Sequence, residues 1–234
     1  MRYSKDKTGR FSRRLYFEDG EIDSIMDAVL DETKRPRIGA LPAIDIEKVM
    51  LRLDLEPTYS ELPHGVLGAT SFEHDGTSKI VISCTLAESA HSEQPVELSL
   101  RTTQAHELGH AKLHRSLYIS NTPSLFNEPL PAPIQCREKN ILNLGYNGEW
   151  WEFQANAAMA AVLMPRSEFL EEAAAWTHAK HIASLAEAPN AAVYSQFISE
   201  VATRFQVSRT AVRYRAEGLK MNYKEAQPGL QFSR

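Results

Sequence analysis

Cysteine is scarce: Cys84 and Cys136 stand alone in 234 residues, far apart and in no C-x-x-C pattern. A disulfide framework is therefore not expected. Long apolar runs are missing too. No stretch approaches the roughly 18 residues of a transmembrane helix. The basic N-terminus MRYSKDKTGRFSRR is followed by the acidic FEDGEIDSIMD rather than by an apolar signal core. Nor is there an excess of positive charge. The formal net charge is -4, which implies no general affinity for nucleic acid and no membrane association. These absences together lead to the expectation of a cytoplasmic protein. Its length leaves room for one domain with an appendage, or for two small domains.

What is present centres on Thr102 to His114, TTQAHELGHAKLH. His106, Glu107 and His110 form an H-E-x-x-H pattern. On a helix, residues four apart share a face, so His106 and His110 can offer two imidazole nitrogens to one metal ion. Glu107 then lies close enough to reach a water on that metal. Zinc suits this set, being fond of imidazole and catalytic when three protein ligands leave one position open. Gly109 is a poor helix former, and with Ala105 and Ala111 it predicts that another backbone passes close by. His114, four residues further on, lies about 6 Å along the axis from the metal. It is expected to pack or hydrogen-bond rather than ligate.

The third ligand is sought on EWWEFQANAAMAAVLM, which reads as a helix from Glu149 to Met164 stopping at Pro165. Glu152 and Asn156 share a face of it, and Ala155, Ala158 and Ala160 keep it slim. Glu152 completes a His, His, Glu set, and Asn156 is placed to hydrogen-bond a ligand and fix its orientation. Glu149 is the competing carboxylate. It stands at the helix start, where the dipole favours an acid in any case.

The remaining chain reads as α+β. Residues 1–20 are a basic tail, solvated to about Arg14. Residues 21–190 are expected to form the main domain, with helices over Glu21–Asp31 and Ile44–Leu53. A small twisted sheet is expected after His64, with KIVIS (Lys79–Ser83) its best strand, leading through a loop to the HELGH helix. Residues 121–148 hold Pro123, Pro129, Pro131 and Pro133 and read as an irregular excursion near the site. It is expected to control access, with Cys136 a candidate regulatory thiol. Arg166–Trp176 reads as a helix. Residues 191–225 form a helical block in which FQVSR fits the turn of a helix-turn-helix, with Ser208 capping its second helix. Arg209, Arg213 and Arg215 would then lie on or near the recognition helix.

TTQAHELGHAKLH followed by E-x-x-A-N-x-x-A-A-x-L-M-P resembles the ImmA/IrrE family of zinc metallopeptidases over about Ile44 to Pro165, and more loosely to Lys220. The resemblance implies a mostly helical, thermolysin-like (zincin) core and a zinc-dependent endopeptidase. Carried over by position, His106, His110 and Glu152 are its ligands and Glu107 its catalytic glutamate. It implies a helix-turn-helix repressor as protein substrate, cleaved to relieve repression in a stress response or in the control of mobile elements. One departure is Gln154, where the family usually has an acidic residue. Two rival readings stand beside this one: a DNA-binding regulator, and a protein that sequesters a repressor without cutting it. His178, His181, Tyr118 and Tyr146 are candidates for a donor to the substrate carbonyl.

Overall fold

The computed structural model describes residues 2–73, 75–90, 94–118, 132–137, 141, 148–188 and 190–221. These form an α+β structure with the element order β1 (Arg2–Ser4), β2 (Arg14–Tyr16), α1 (Glu21–Glu32), α2 (Ile46–Arg52), β3 (Thr58–Ser60), β4 (Val66–Phe72), β5 (Ser78–Ser83), α3 (Cys84–Ala90), α4 (Gln94–Leu113), β6 (Ile134–Arg137), α5 (Trp150–Leu163), α6 (Arg166–Ala179), α7 (Ala191–Phe205) and α8 (Arg209–Gly218).

Helix α4 is buried without a break from Leu100 to Ala111. A helix covered on all sides must lie between layers. One layer is α5, itself buried along most of its length. The other is a sheet of order β3-β5-β4-β6, in which β3 runs parallel to β5 while β4 is antiparallel to both β5 and β6. Strand β4 alternates in burial from Val66 to Phe72, the period of a strand with one covered face. It thus turns Val66, Gly68, Thr70 and Phe72 towards the interior.

Local chemistry fixes the ends of the elements. Asp45 caps α2 by accepting from the Lys48 N–H at 3.1 Å, and Ser208 caps α8 by accepting from the Ala211 N–H at 3.1 Å. Gly76, at φ +84°, supplies the positive φ of the β4–β5 turn. The loop expected after KIVIS is instead the helix α3. Its CTLAESA sequence has good helix formers, and the Ser83 hydroxyl accepts from the Leu86 N–H at 3.4 Å.

The N-terminal residues depart furthest from expectation. Instead of a solvated tail, β1 and β2 pair as an antiparallel hairpin, with Phe11 and Leu15 buried. Asp6 organises it. Its carboxylate accepts from the Thr8 N–H at 3.0 Å, the Thr8 hydroxyl at 2.6 Å, the Phe11 N–H at 3.0 Å and the Trp150 indole N–H at 3.1 Å. Phe11 then packs against Tyr118, Trp150 and Trp151, with ring centroids 5.5–5.8 Å apart. Burial works against the Asp6 charge, but the donors prevail and hold its carboxyl at about 2.

In the C-terminal block, α7 ends at Gln206, which has φ +50°, and α8 follows after Val207 and Ser208. Phe197, Val201, Phe205, Val207, Ala211 and Val212 are all buried, as their spacing predicts. Arg215 is buried as well. It donates to the Met164 carbonyl at 2.9 Å and to Asp23 at 2.6 Å, tying α8 to α5 and α1.

Because the folded Asp6 carboxyl lies below its ordinary 3.8, its contribution is complete above that value and is lost as pH falls towards about 2. Asp6→Ala is expected to cost about 2 kcal/mol, since it strands buried donors. It should also free residues 2–16 to trypsin, as timed proteolysis would register.

Candidate metal centre

The centre is assembled where α4 and α5 cross, and Gly109 sets how closely they approach. A Cβ placed on Gly109 would lie 3.0 Å from the Ala158 Cβ and 3.1 Å from the Ala155 carbonyl oxygen. The close passage expected from Gly109 and the alanines of α5 is present. It brings Glu152 of α5 within reach of both histidines of α4. Its carboxylate oxygens lie 3.1 Å from His106 Nε2 and 3.5 Å from His110 Nε2, and the two Nε2 atoms are 3.0 Å apart. One donor atom from each of His106, His110 and Glu152 lies within 4.8 Å of the other two, and all three residues are buried. Glu149 is not in this group.

The residues fit a metal ion by their own hydrogen bonding. His106 Nδ1 is 3.0 Å from Asn156 Oδ1. If Nδ1 donates there, Nε2 is left with its lone pair, facing the carboxylate and the second imidazole. Converging lone pairs and a carboxylate away from water repel one another unless a cation lies among them. Two imidazoles and one carboxylate are a donor set that zinc accepts. Burial opposes ionisation of Glu152, but the two imidazoles outweigh it and hold its carboxyl below the usual range.

Glu107 points from α4 to the sheet. Its Oε2 accepts from the Thr70 hydroxyl at 2.5 Å, while Oε1 is buried with no hydrogen-bond partner. A Cβ on Gly68 would lie 2.7 Å from that Oε1, so β4 passes close enough to hold the carboxylate only because residue 68 has no side chain. Burial pushes the Glu107 carboxyl up to about 8, against the pull of His106 and of Thr70.

His114, expected to pack or hydrogen-bond, does both. It is fully buried, edge-on to Trp150 with centroids 5.9 Å apart, 2.9 Å from His110 Nδ1 through its Nδ1, and 3.1 Å from Gln154 Oε1 through its Nε2. Burial, aided by neighbouring His110, lowers its imidazole to about 3, so it is neutral. Cys136 lies on β6, opposite Gly68 on β4, and is buried beside His106. Burial pushes its thiol up to about 12, and it does not converge with the three ligand atoms.

A cleft of about 450 Å³ opens beside Glu152, lined by Arg10, Pro133, Gln135, Arg137 and Trp151 among others. Arg10 donates to the Pro133 carbonyl at 3.2 Å and lies over the Trp151 ring. A larger groove of about 590 Å³ between α4 and α7 contains none of the site residues. Of the donors weighed from the sequence, Tyr118 is buried and stacked on Phe72 at 4.4 Å, whereas His178 and His181 are exposed about the end of α6. Tyr146 lies outside the described residues, as does most of the 121–148 excursion apart from 132–137, 141 and 148.

Three partners escaped the sequence reading. Thr70 carried a weak signal, a polar residue at an inward position of an alternating strand. Gln154 stood out only as a departure from the family pattern, and Arg10 carried no signal, because what they touch is far away along the chain.

Residues 97–217 match the family model of the IrrE N-terminal-like domain, a peptidase family. The match takes in most of α4, all of α5 and the α7–α8 block as far as Glu217. No curated protein matches the chain.

Glu152→Ala is expected to lose metal affinity by more than the roughly 100-fold that loss of an outer partner can cause. Glu149→Ala should bind as the parent does. Titration against a chelator of known affinity separates them, and equal behaviour of the two variants would refute the ligand set.

Proposed function

The chain belongs to the IrrE N-terminal-like domain family of peptidases, and on that premise we propose that it is a zinc-dependent endopeptidase with His106, His110 and Glu152 as ligands and Glu107 as general base. The observation that carries this reading is the buried Glu107 oxygen without a partner, beside a buried His, His, Glu cluster. Zinc held there supplies Lewis acidity, which polarises a peptide carbonyl and makes a water acidic. The chain's own residues do the rest. Glu107, held through Oε2 by Thr70, presents Oε1 to take the proton of the attacking water and then passes it to the leaving amine. Asn156 keeps His106 turned with Nε2 inward. Arg10, which lines the cleft, and Tyr118, whose hydroxyl donates to the Ala132 carbonyl at 3.4 Å, are candidate donors to the carbonyl oxygen.

Among the described residues β4 is paired on both sides and β6 forms the sheet edge on the side of the cleft, the edge an extended substrate would use. The thermolysin-like character of the core rests on this relation of a sheet edge to a metal-binding helix.

The resemblance noted in the sequence supports a helix-turn-helix repressor as substrate and relief of repression as the outcome. No described helix is long and apolar enough to cross a membrane. Against a DNA-binding role for α7 and α8 stands Arg215. Of the three arginines expected on the recognition helix, it is spent on Met164 and Asp23 in the interior.

Glu107→Gln is expected to keep the fold and the metal while losing cleavage of a candidate repressor by several orders of magnitude, because an amide cannot accept the proton. Mass spectrometry of the products gives both the activity and the scissile bond. Substantial cleavage by the metal-loaded variant would place the base elsewhere.

A further inference from the structure

Just past the end of helix α4 stands a third buried histidine, His114, that the peptidase reading does not use, between a proposed metal ligand and the N-terminal hairpin. The contacts run from His110 Nδ1 to His114 Nδ1 at 2.9 Å, from His114 Nε2 to Gln154 Oε1 at 3.1 Å, and from Gln154 Nε2 to the Leu15 carbonyl at 2.9 Å. All four residues are buried. The far end fixes the sense of the whole chain. A backbone carbonyl can only accept, so the Gln154 amide must turn its NH₂ to Leu15; the flipped amide would set two oxygens against each other. Gln154 Oε1 then faces His114 and must accept from its Nε2–H. His114 is fully buried, and among the described residues its ring nitrogens meet His110 and Gln154 rather than a carboxylate, so it carries a single proton; its Nδ1 is then an acceptor, and His110 Nδ1 must donate to it. His110 Nε2 is left with its lone pair, and Nε2 is the atom that faces His106 and Glu152.

We propose that His114 and Gln154 are positioning residues that hold His110 in its metal-binding tautomer, and that the Leu15 carbonyl of the N-terminal hairpin sets the polarity of this relay. The hairpin is thereby part of the metal centre, at three hydrogen bonds' remove. Gln154 is suited to the place because it accepts at one end and donates at the other. A glutamate could still accept from His114 but would face the Leu15 carbonyl with a second acceptor. The inference rests on the ligand set proposed above.

The test uses full-length His114→Phe, Gln154→Leu and Gln154→Glu, with Glu152→Ala as control. Zinc affinity is measured by chelator competition and the His110 tautomer in the metal-free protein by long-range ¹H–¹⁵N NMR. In the parent, His110 is expected as the Nδ1–H form. His114→Phe and Gln154→Leu should lose about 10- to 100-fold in zinc affinity and populate the Nε2–H form. Gln154→Glu should keep affinity and tautomer but expose residues 10–14 to trypsin faster than the parent. A merely structural role would lower melting temperature and leave tautomer and affinity unmoved. Parental tautomer and affinity in both His114→Phe and Gln154→Leu would overturn the proposal, and if His114→Phe fails to fold, Gln154→Leu decides alone. If Glu152→Ala also binds zinc as the parent does, the ligand set has failed, and the tautomer readout still judges the relay.

Discussion

The approach of α4 to α5 at Gly109 is the constraint on which the rest depends. With the Ala158 Cβ and the Ala155 carbonyl so near, any side chain at 109 would push the helices apart. The proposed ligand set is split between them, two imidazoles on one and a carboxylate on the other, and metal–ligand bonds tolerate only a few tenths of an ångström. The second close approach, at Gly68, brings β4 against the other side of α4 and fixes Glu107. Two glycines, one on each side of α4, therefore set the distances among His106, His110, Glu152 and Glu107.

So many polar groups inside the protein are tolerated only because nearly all are paired. His106 is met by Asn156, His110 by His114, His114 by Gln154, and Glu107 by Thr70. Among the described site residues, the polar side-chain atom left without a partner is Glu107 Oε1, the one the proposed chemistry requires to be free. The network also crosses layers. Asp6 binds the Trp150 indole at the start of α5, and Leu15 binds Gln154 one turn further on. Both contacts hold the N-terminal hairpin over the helix that carries Glu152.

Much of this was legible in the sequence because it is local. The i, i+4 spacing of His106 and His110 and of Glu152 and Asn156, the cap at Ser208 and Pro165 as a stop each depend on neighbours within one or two turns. The small residues at 109, 155 and 158 made even the helix crossing foreseeable, since a glycine inside a helix has a cost that close packing explains. What stayed hidden is long-range. The run to Arg14 is basic and reads as solvated, yet Phe11 and Leu15 are buried by Trp150, Trp151 and Tyr118, more than a hundred residues away. His114 was expected to pack or hydrogen-bond and Gln154 stood out as a departure from the family pattern, but their pairing exists only once the two helices are together. Strand β6 lay within a proline-bearing stretch whose composition masked a four-residue strand.

The most direct test of a metal centre shared between α4 and α5 is a crystal structure of the zinc-loaded protein with anomalous scattering recorded at the zinc edge. One anomalous peak is expected per chain, bonded to His106 Nε2, His110 Nε2 and a Glu152 oxygen, with Glu107 Oε1 facing the remaining position. A peak ligated by other residues, or none at saturating zinc, would contradict the account.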